Sequence, residues 1–278
     1  MESTTAIEHE IKVTPSASVQ IKLLSSLQSQ KLDDVVRTLK GVLGFGDFAV
    51  TTENVRNVTD DYYDTDDLSL YSTHSLLRVR RQGSSPTIVV KTLIGQSPGE
   101  LKRTEFEQAT SEDELQSLIE SSFASIVAAQ LPDLKGKKLT YKVKVSNERR
   151  NYLMVRGEEI HRLSFDSFFF VNPKTGRTSD QQYEIEIESL NAAASAKLHT
   201  MKHSLLEVFR GGFTFSKSSK YERGIEAFSI NGALWKQWLS KWSSPTGLGW
   251  VGFVATLAGI VIGVIATVIS TWITLRAG

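Results

Sequence analysis

The chain has no cysteine, which excludes disulfides, thiolate metal sites and cysteine nucleophiles. It also has almost no imbalance of charge: 32 basic residues meet 31 acidic ones, a formal net charge of +1 over 278 residues. So small an excess gives no global field to attract nucleic acid, and any anion must be held by local clustering. The five histidines, His9, His74, His161, His199 and His203, form no HExxH pattern. Carboxylates are then the expected ligands of any bound metal, and carboxylates favour a hard cation. The opening MESTTAIEHEIKV lacks a basic stretch followed by an apolar one and does not read as a signal peptide.

Charge is missing altogether between Lys241 and Arg276, and Leu248 to Leu275 is almost wholly apolar. Trp250 and Trp272 stand 22 positions apart, about 33 Å along a helix, which suits a bilayer core with a tryptophan at each interface. A transmembrane helix over 247–275 is expected, acting as a C-terminal tail anchor. Lys236 and Lys241 before it and Arg276 after it tilt the large N-terminal part toward the cytosol. In the linker, 231–246, Trp235, Trp238 and Trp242 share a helical stripe, which either lies in the headgroup region or packs on the preceding domain. Ala255, Gly259 and Gly263 recur every four residues, so the span could pair with a second copy through Gly259-x-x-x-Gly263.

Residues 1–230 read as one α+β domain. Strands are expected over Ile7–Val13, Leu76–Arg81, Thr87–Leu93, Leu101–Gln108, Leu139–Val145, Asn151–Arg156, Leu163–Val171 and Tyr183–Ser189, and helices over Leu32–Leu43, Glu112–Ala129 and Ala192–Phe209. Short turn signals at Gln82–Pro86 and Asn172–Gly176 make the sheet mostly antiparallel. Because strand side chains alternate, Glu8, Glu10 and Lys12 share one face, as do Glu184, Glu186 and Glu188, Arg103, Glu105 and Glu107, and Arg78 and Arg80, while Lys91 sits among apolar neighbours. One strand of this kind is ordinary for a sheet with a solvated face. The whole set segregates carboxylates from guanidinium and ammonium groups, which suits a metal bound beside a polyanion; closing the sheet into a barrel would gather them in one channel.

Glu8-His9-Glu10-Ile11-Lys12 resembles the ExExK signature of the CYTH superfamily, the triphosphate tunnel metalloenzymes. The resemblance continues in the same order through Tyr62-Tyr63-Asp64-Thr65, Leu77-Arg78-Val79-Arg80, Val90-Lys91-Thr92, Arg103-x-Glu105-x-Glu107, Phe165-Asp166, Glu184-x-Glu186-x-Glu188 and Ser219-Lys220-Tyr221-Glu222-Arg223-Gly224, over about residues 6–228. It implies an eight-stranded antiparallel β-barrel tunnel with surrounding helices and a charged lumen. It also implies metal ligands in Glu8, Glu10, Glu184, Glu186 and Glu188, and phosphate holders in Lys12, Arg78, Arg80, Lys91, Arg103 and Lys220. Glu105 and Glu107 would lie near the attacking water. Of Arg149 and Arg150, one is expected to face inward; Asp166 is either functional or a strand-edge carboxylate, Lys217 a solvated lysine, and His9 outward-facing.

The expected function is hydrolysis of a triphosphate by a membrane-tethered, Mg²⁺- or Mn²⁺-dependent phosphohydrolase, with inorganic triphosphate the first choice of substrate. Thiamine triphosphate or ATP as substrate, adenylate cyclase chemistry, and a non-enzymatic polyphosphate or nucleotide sensor are the alternatives. The expected partners are the substrate and membrane lipid, with no nucleic acid; a homodimer could form through the transmembrane helix.

Overall fold

The computed structural model describes residues 3–16, 46–83, 85–97, 100–208, 212–216 and 218–228. The helix expected over 32–43, Lys217, the linker 231–246 and the span 247–275 lie outside the described residues. Among those described, no helix is long and apolar enough to cross a membrane.

Nine strands follow one another as β1 (Ser3–Pro15), β2 (Ala49–Asp64), β3 (Leu76–Arg81), β4 (Pro86–Ser97), β5 (Glu100–Ala109), β6 (Thr140–Arg156), β7 (Glu159–Val171), β8 (Gln182–Ser189) and β9 (Phe213–Phe215). Their order in the sheet is β5-β4-β3-β2-β6-β7-β8-β1-β9, and β5 also pairs with β1. That last ladder, Ser3↔Gln108 to Ile11↔Glu100, closes β1 to β8 into an eight-stranded antiparallel barrel, with β9 added on the far end of β1. Closure removes the sheet edges that an open sheet would expose. The helices are α1 (Ser69–Ser72), α2 (Glu112–Glu120), α3 (Ala124–Gln130), α4 (Ala192–Val208) and α5 (Lys220–Ala227).

Eight strands were expected and eight close the barrel, but two assignments differ. The segments Leu139–Val145 and Asn151–Arg156 are halves of the single 17-residue β6. The polar run Ser146 to Arg150 between them imitates a loop, yet Asn147 and Arg149 face the lumen while Glu148 and Arg150 point out. The strand that makes up the number is the 16-residue β2, whose run of Thr, Asn and Asp hides its alternation. The helix expected over Glu112–Ala129 is two helices, broken where Ser122 and Phe123 take positive φ of 54° and 56° and Phe123 becomes fully buried.

The apolar core lies outside the barrel wall. Ile11, Val13, Tyr152, Met154, Leu163, Ile185 and Ile187 face outward beneath Leu198 and Met201 of α4. On the other flank Leu77, Val79, Ile88 and Val90 are covered by Leu115, Phe123, Ile126 and Val127 of α2, α3 and their junction. Each such side chain contributes about 1.5–3 kcal/mol on leaving water. The helices thus stabilise the barrel from without, and its inner face is left to polar groups.

Candidate active site

Inside the wall is a cavity of about 400 Å³ lined by seven carboxylates and nine ammonium or guanidinium groups. Alternation places them: the outward apolar residues of each strand fix the register, and every second residue points in. Glu8, Glu10 and Lys12 enter from β1, Arg78 and Arg80 from β3, Lys91 from β4, Arg103, Glu105 and Glu107 from β5, Arg149 from β6, and Glu186 and Glu188 from β8. Lys220 enters from α5.

The ladders set which charges face each other. Glu8 lies opposite Arg103, Lys12 opposite Glu186, and Lys91 opposite Glu105. Glu10 instead lies opposite Glu188, a pairing of like charges that costs stability unless a cation intervenes. Lys91 Nζ is 2.5 Å from Glu8 Oε1 and 2.9 Å from Glu105 Oε1. Burial would raise the Glu8 pKa, but the Lys91 and Lys12 ammoniums overcome it and bring the group down to about 2. Glu10 is pushed up to about 7 by burial and then by the charge on Glu8. Burial and then Glu8 raise Glu188 in the same sense. Glu8 Oε2 and Glu10 Oε1 are buried and accept no hydrogen bond, although Lys12 Nζ lies 3.1 Å from the latter and Arg103 3.5 Å. Glu107 lines the cavity without a hydrogen bond or ion pair among the described residues.

A second group sits at the α5 end. Asp166, Glu184 and Glu186 bring oxygens within 4.8 Å of one another. The Lys220 ammonium lies among them, 2.7 Å from Asp166 Oδ2, 2.8 Å from Glu186 Oε1 and in contact with Glu184. Arg149 forks onto Asp166 at 2.7 and 2.6 Å, and Arg223 pairs with Glu184. Burial works against the charge on Asp166, yet Arg149 and Lys220 hold its carboxyl below the usual range. Asp166 is therefore a buried mid-strand carboxylate that orients two cations. Glu184 lies beneath Lys220 and does not line the cavity.

Helix α5 delivers Lys220 through three local features. Ser219 and Glu222 form a reciprocal capping box. Tyr221 donates to Asp64 Oδ2 at 2.6 Å, and the same carboxylate accepts from the backbone of Thr65, Leu70 and Tyr71. Gly224 permits close packing, since a Cβ there would lie 2.6 Å from Val143 Cγ1 and 3.0 Å from Phe170.

Of the paired arginines, Arg149 is the one that enters the lumen; Arg150 lies on the outer face, 2.9 Å from Glu148 Oε1. His9 faces outward as expected. Sequence reasoning gave no role to Arg56, Asp60, Asn147, Asn151 and Arg162, all of which line the cavity. Asp60 matters most: it forks onto Arg80 at 2.8 and 2.9 Å and lies 3.4 Å from Arg78. Burial opposes its ionisation, but those two guanidiniums hold it well below the usual carboxylate range. Reading residues 49–64 as a strand puts Arg56, Asp60 and Tyr62 on one face, and that was the available signal.

Several solved structures are similar at low identity. A Bacillus halodurans protein provisionally assigned as an adenylate cyclase shares 21% identity at a TM-score of 0.49, over 79% of this chain and 97% of that one. HpAC1 from Hippeastrum, described as having a dominant triphosphatase activity, shares 17% at 0.48, over 79% and 95%. The S. pombe RNA triphosphatase Pct1 shares 12% at 0.31, over 82% and 83%. No curated protein matches the chain by sequence. The CYTH domain family matches residues 34–218, well over half of the sequence, and the chain belongs to that family.

Proposed function

We propose that the protein hydrolyses the terminal phosphoanhydride of a triphosphate, inorganic triphosphate in the first place, with a divalent cation held in the lumen. The observation that carries this reading is the pair of buried carboxylate oxygens, Glu8 Oε2 and Glu10 Oε1, that accept no hydrogen bond among the described residues and lie beside a wall of fixed cations. Nine basic lining groups against seven acidic ones leave an excess of two, so a bound divalent cation would add to the positive charge that meets a triphosphate of roughly four negative charges. Glu8 and Glu10 fit a hard cation such as Mg²⁺ or Mn²⁺, with Glu188 facing Glu10. Glu184 and Glu186 fit one less well, because Lys220 already lies between them. When bound, the cation supplies Lewis-acid stabilisation of phosphate oxygens.

The chain's own groups account for the rest. Lys12, Arg78, Arg80, Lys91, Arg103, Arg149 and Lys220 hold phosphate oxygens with charge-assisted hydrogen bonds and stabilise charge on the leaving diphosphate. Each exchanges a carboxylate partner for the substrate, so the site is ordered before the substrate arrives. Glu107, with no partner among the described residues, and Glu105 stand to orient and deprotonate the attacking water. Inorganic triphosphate is favoured over ATP or thiamine triphosphate by the lining: its one aromatic among the described residues is Tyr62, whose ring is stacked on Tyr221 with centroids 5.4 Å apart. Among the described residues no other aromatic ring lines the cavity for a base to stack on, and Tyr62 is itself buried.

We also propose that residues 247–275 tether this activity to a membrane with the barrel in the cytosol, on the strength of their uncharged, tryptophan-bounded length. Phosphate release by the full chain from inorganic triphosphate, ATP, thiamine triphosphate and diphosphate, each with Mg²⁺, Mn²⁺ or EDTA, tests reaction and preference together. The expected result is metal-dependent release that is fastest with inorganic triphosphate. Binding of triphosphate without release would favour a sensor instead.

A further inference from the structure

Strand β1 is not held equally along its length. From Glu10 to Val13 it pairs with β8, and Glu10, Ile11 and Val13 pair on the other side as well, with β5 or β9; the β8 ladder begins at Glu10↔Glu188. From Ser3 to His9 the strand pairs, among the described residues, with β5 alone, and Ile7 in that stretch is 63% exposed. The two carboxylates read as ligands therefore straddle a change in support: Glu10 lies within the two-sided ladder and Glu8 just beyond it.

His9 sits at that junction on the outer face. Its Nε2 lies 2.6 Å from Glu100 Oε1 of β5, and its Nδ1 lies 2.7 Å from Ser195 Oγ of α4. The register pairs His9 with Lys102 and Ile11 with Glu100, so the first contact runs diagonally along one face of the β1–β5 ladder. The second reaches the helix that follows β8 and supplies a connection on the side where the β8 ladder has stopped. An ionised Glu100 only accepts, which puts a proton on Nε2 and fixes the ring plane. Lys202 Nζ, 3.7 Å from Glu100 Oε2, adds to the same knot.

We propose that His9 is a positioning residue for the Glu8–Glu10 cation site, clamping β1 from outside the barrel so that both carboxylates keep their aim into the lumen. The inference rests on the reading of Glu8 and Glu10 as metal ligands. Groups hydrogen-bonded directly to ligands typically change metal affinity by about 10–100-fold, and His9, which acts through the β1 backbone, stands at the low end of that range.

The test is equilibrium Mn²⁺ binding to the full chain, followed by electron paramagnetic resonance, beside inorganic triphosphate binding in EDTA. His9→Ala should weaken Mn²⁺ binding about tenfold, with triphosphate affinity in EDTA changed far less, because apart from Lys12 the basic wall comes from elements other than β1. Ser195→Ala removes one half-exposed hydroxyl, keeps the fold and should give a smaller loss in the same direction. Wild-type Mn²⁺ affinity in both variants overturns the positioning role alone. Equal losses of Mn²⁺ and triphosphate in His9→Ala overturn it too, since they mark general damage. Failure of the wild-type chain to bind Mn²⁺ removes the metal reading itself and this inference with it.

Discussion

Glu8 and Glu10 are two positions apart on one strand and point the same way, yet their pKa values move in opposite directions, to about 2 and about 7. The lowered group stabilises the fold above its unfolded value near 4.5 and loses that contribution as pH falls toward about 2. The raised group does the reverse: the folded state retains its proton between about pH 4.5 and about pH 7, so stability falls as pH rises through that window. Thermal melts in EDTA should show this decline, and Glu10→Gln should flatten it and melt higher than wild type at pH 8. An unchanged slope in Glu10→Gln would show that Glu10 is not the protonated member. For the opposite charge, Arg78→Ala or Lys91→Ala should cost about 1.5–3 kcal/mol in triphosphate binding, the range for a hydrogen bond to a charged group. Calorimetric titration reads this directly, and affinities equal to wild type would place the phosphates elsewhere. Most of these residues were legible in the sequence because each strand's apolar partners declare its faces. Asp60 and Arg56 were not, since β2 offers Thr, Asn and Asp where other strands offer Val and Ile.

At the scale of elements, β6 shows why a lumen is hard to read. A strand with water-like surroundings on its inner face and solvent on its outer face carries polar residues on both, and the Ser146–Arg150 run loses its alternation. The family resemblance reached Lys220 within its motif, but what holds it became visible only with the partners in place: the capping box, the Tyr221–Asp64 bond and the packing at Gly224. Gly224→Ala should push α5 off β6 and β7, costing about 1–3 kcal/mol of stability as overpacking does. Because Lys220 lies at the start of the same helix, triphosphate affinity should fall as well. A variant with wild-type melting and affinity would mean that Val143 and Phe170 yield without moving the helix.

At the scale of the whole molecule, the barrel is turned inside out relative to most small domains: its apolar core lies between the wall and the helices, and its centre is charged. Such a centre is ordered because most of its cations already have a carboxylate, so a substrate and a metal would exchange partners there with little side-chain ordering left to be done. A chain ending at residue 246 should keep this architecture and its activity while leaving the membrane fraction; if it stays with membranes, Trp235, Trp238 and Trp242 form an anchor of their own. The central claim, a divalent cation held by Glu8 and Glu10 for triphosphate hydrolysis, is tested most directly by phosphate release from inorganic triphosphate across a Mn²⁺ titration, in wild type and in Glu10→Gln. The account predicts saturable turnover by wild type that stops in EDTA, and loss of that turnover in Glu10→Gln. Wild-type rates in the variant, or turnover indifferent to EDTA, would contradict it.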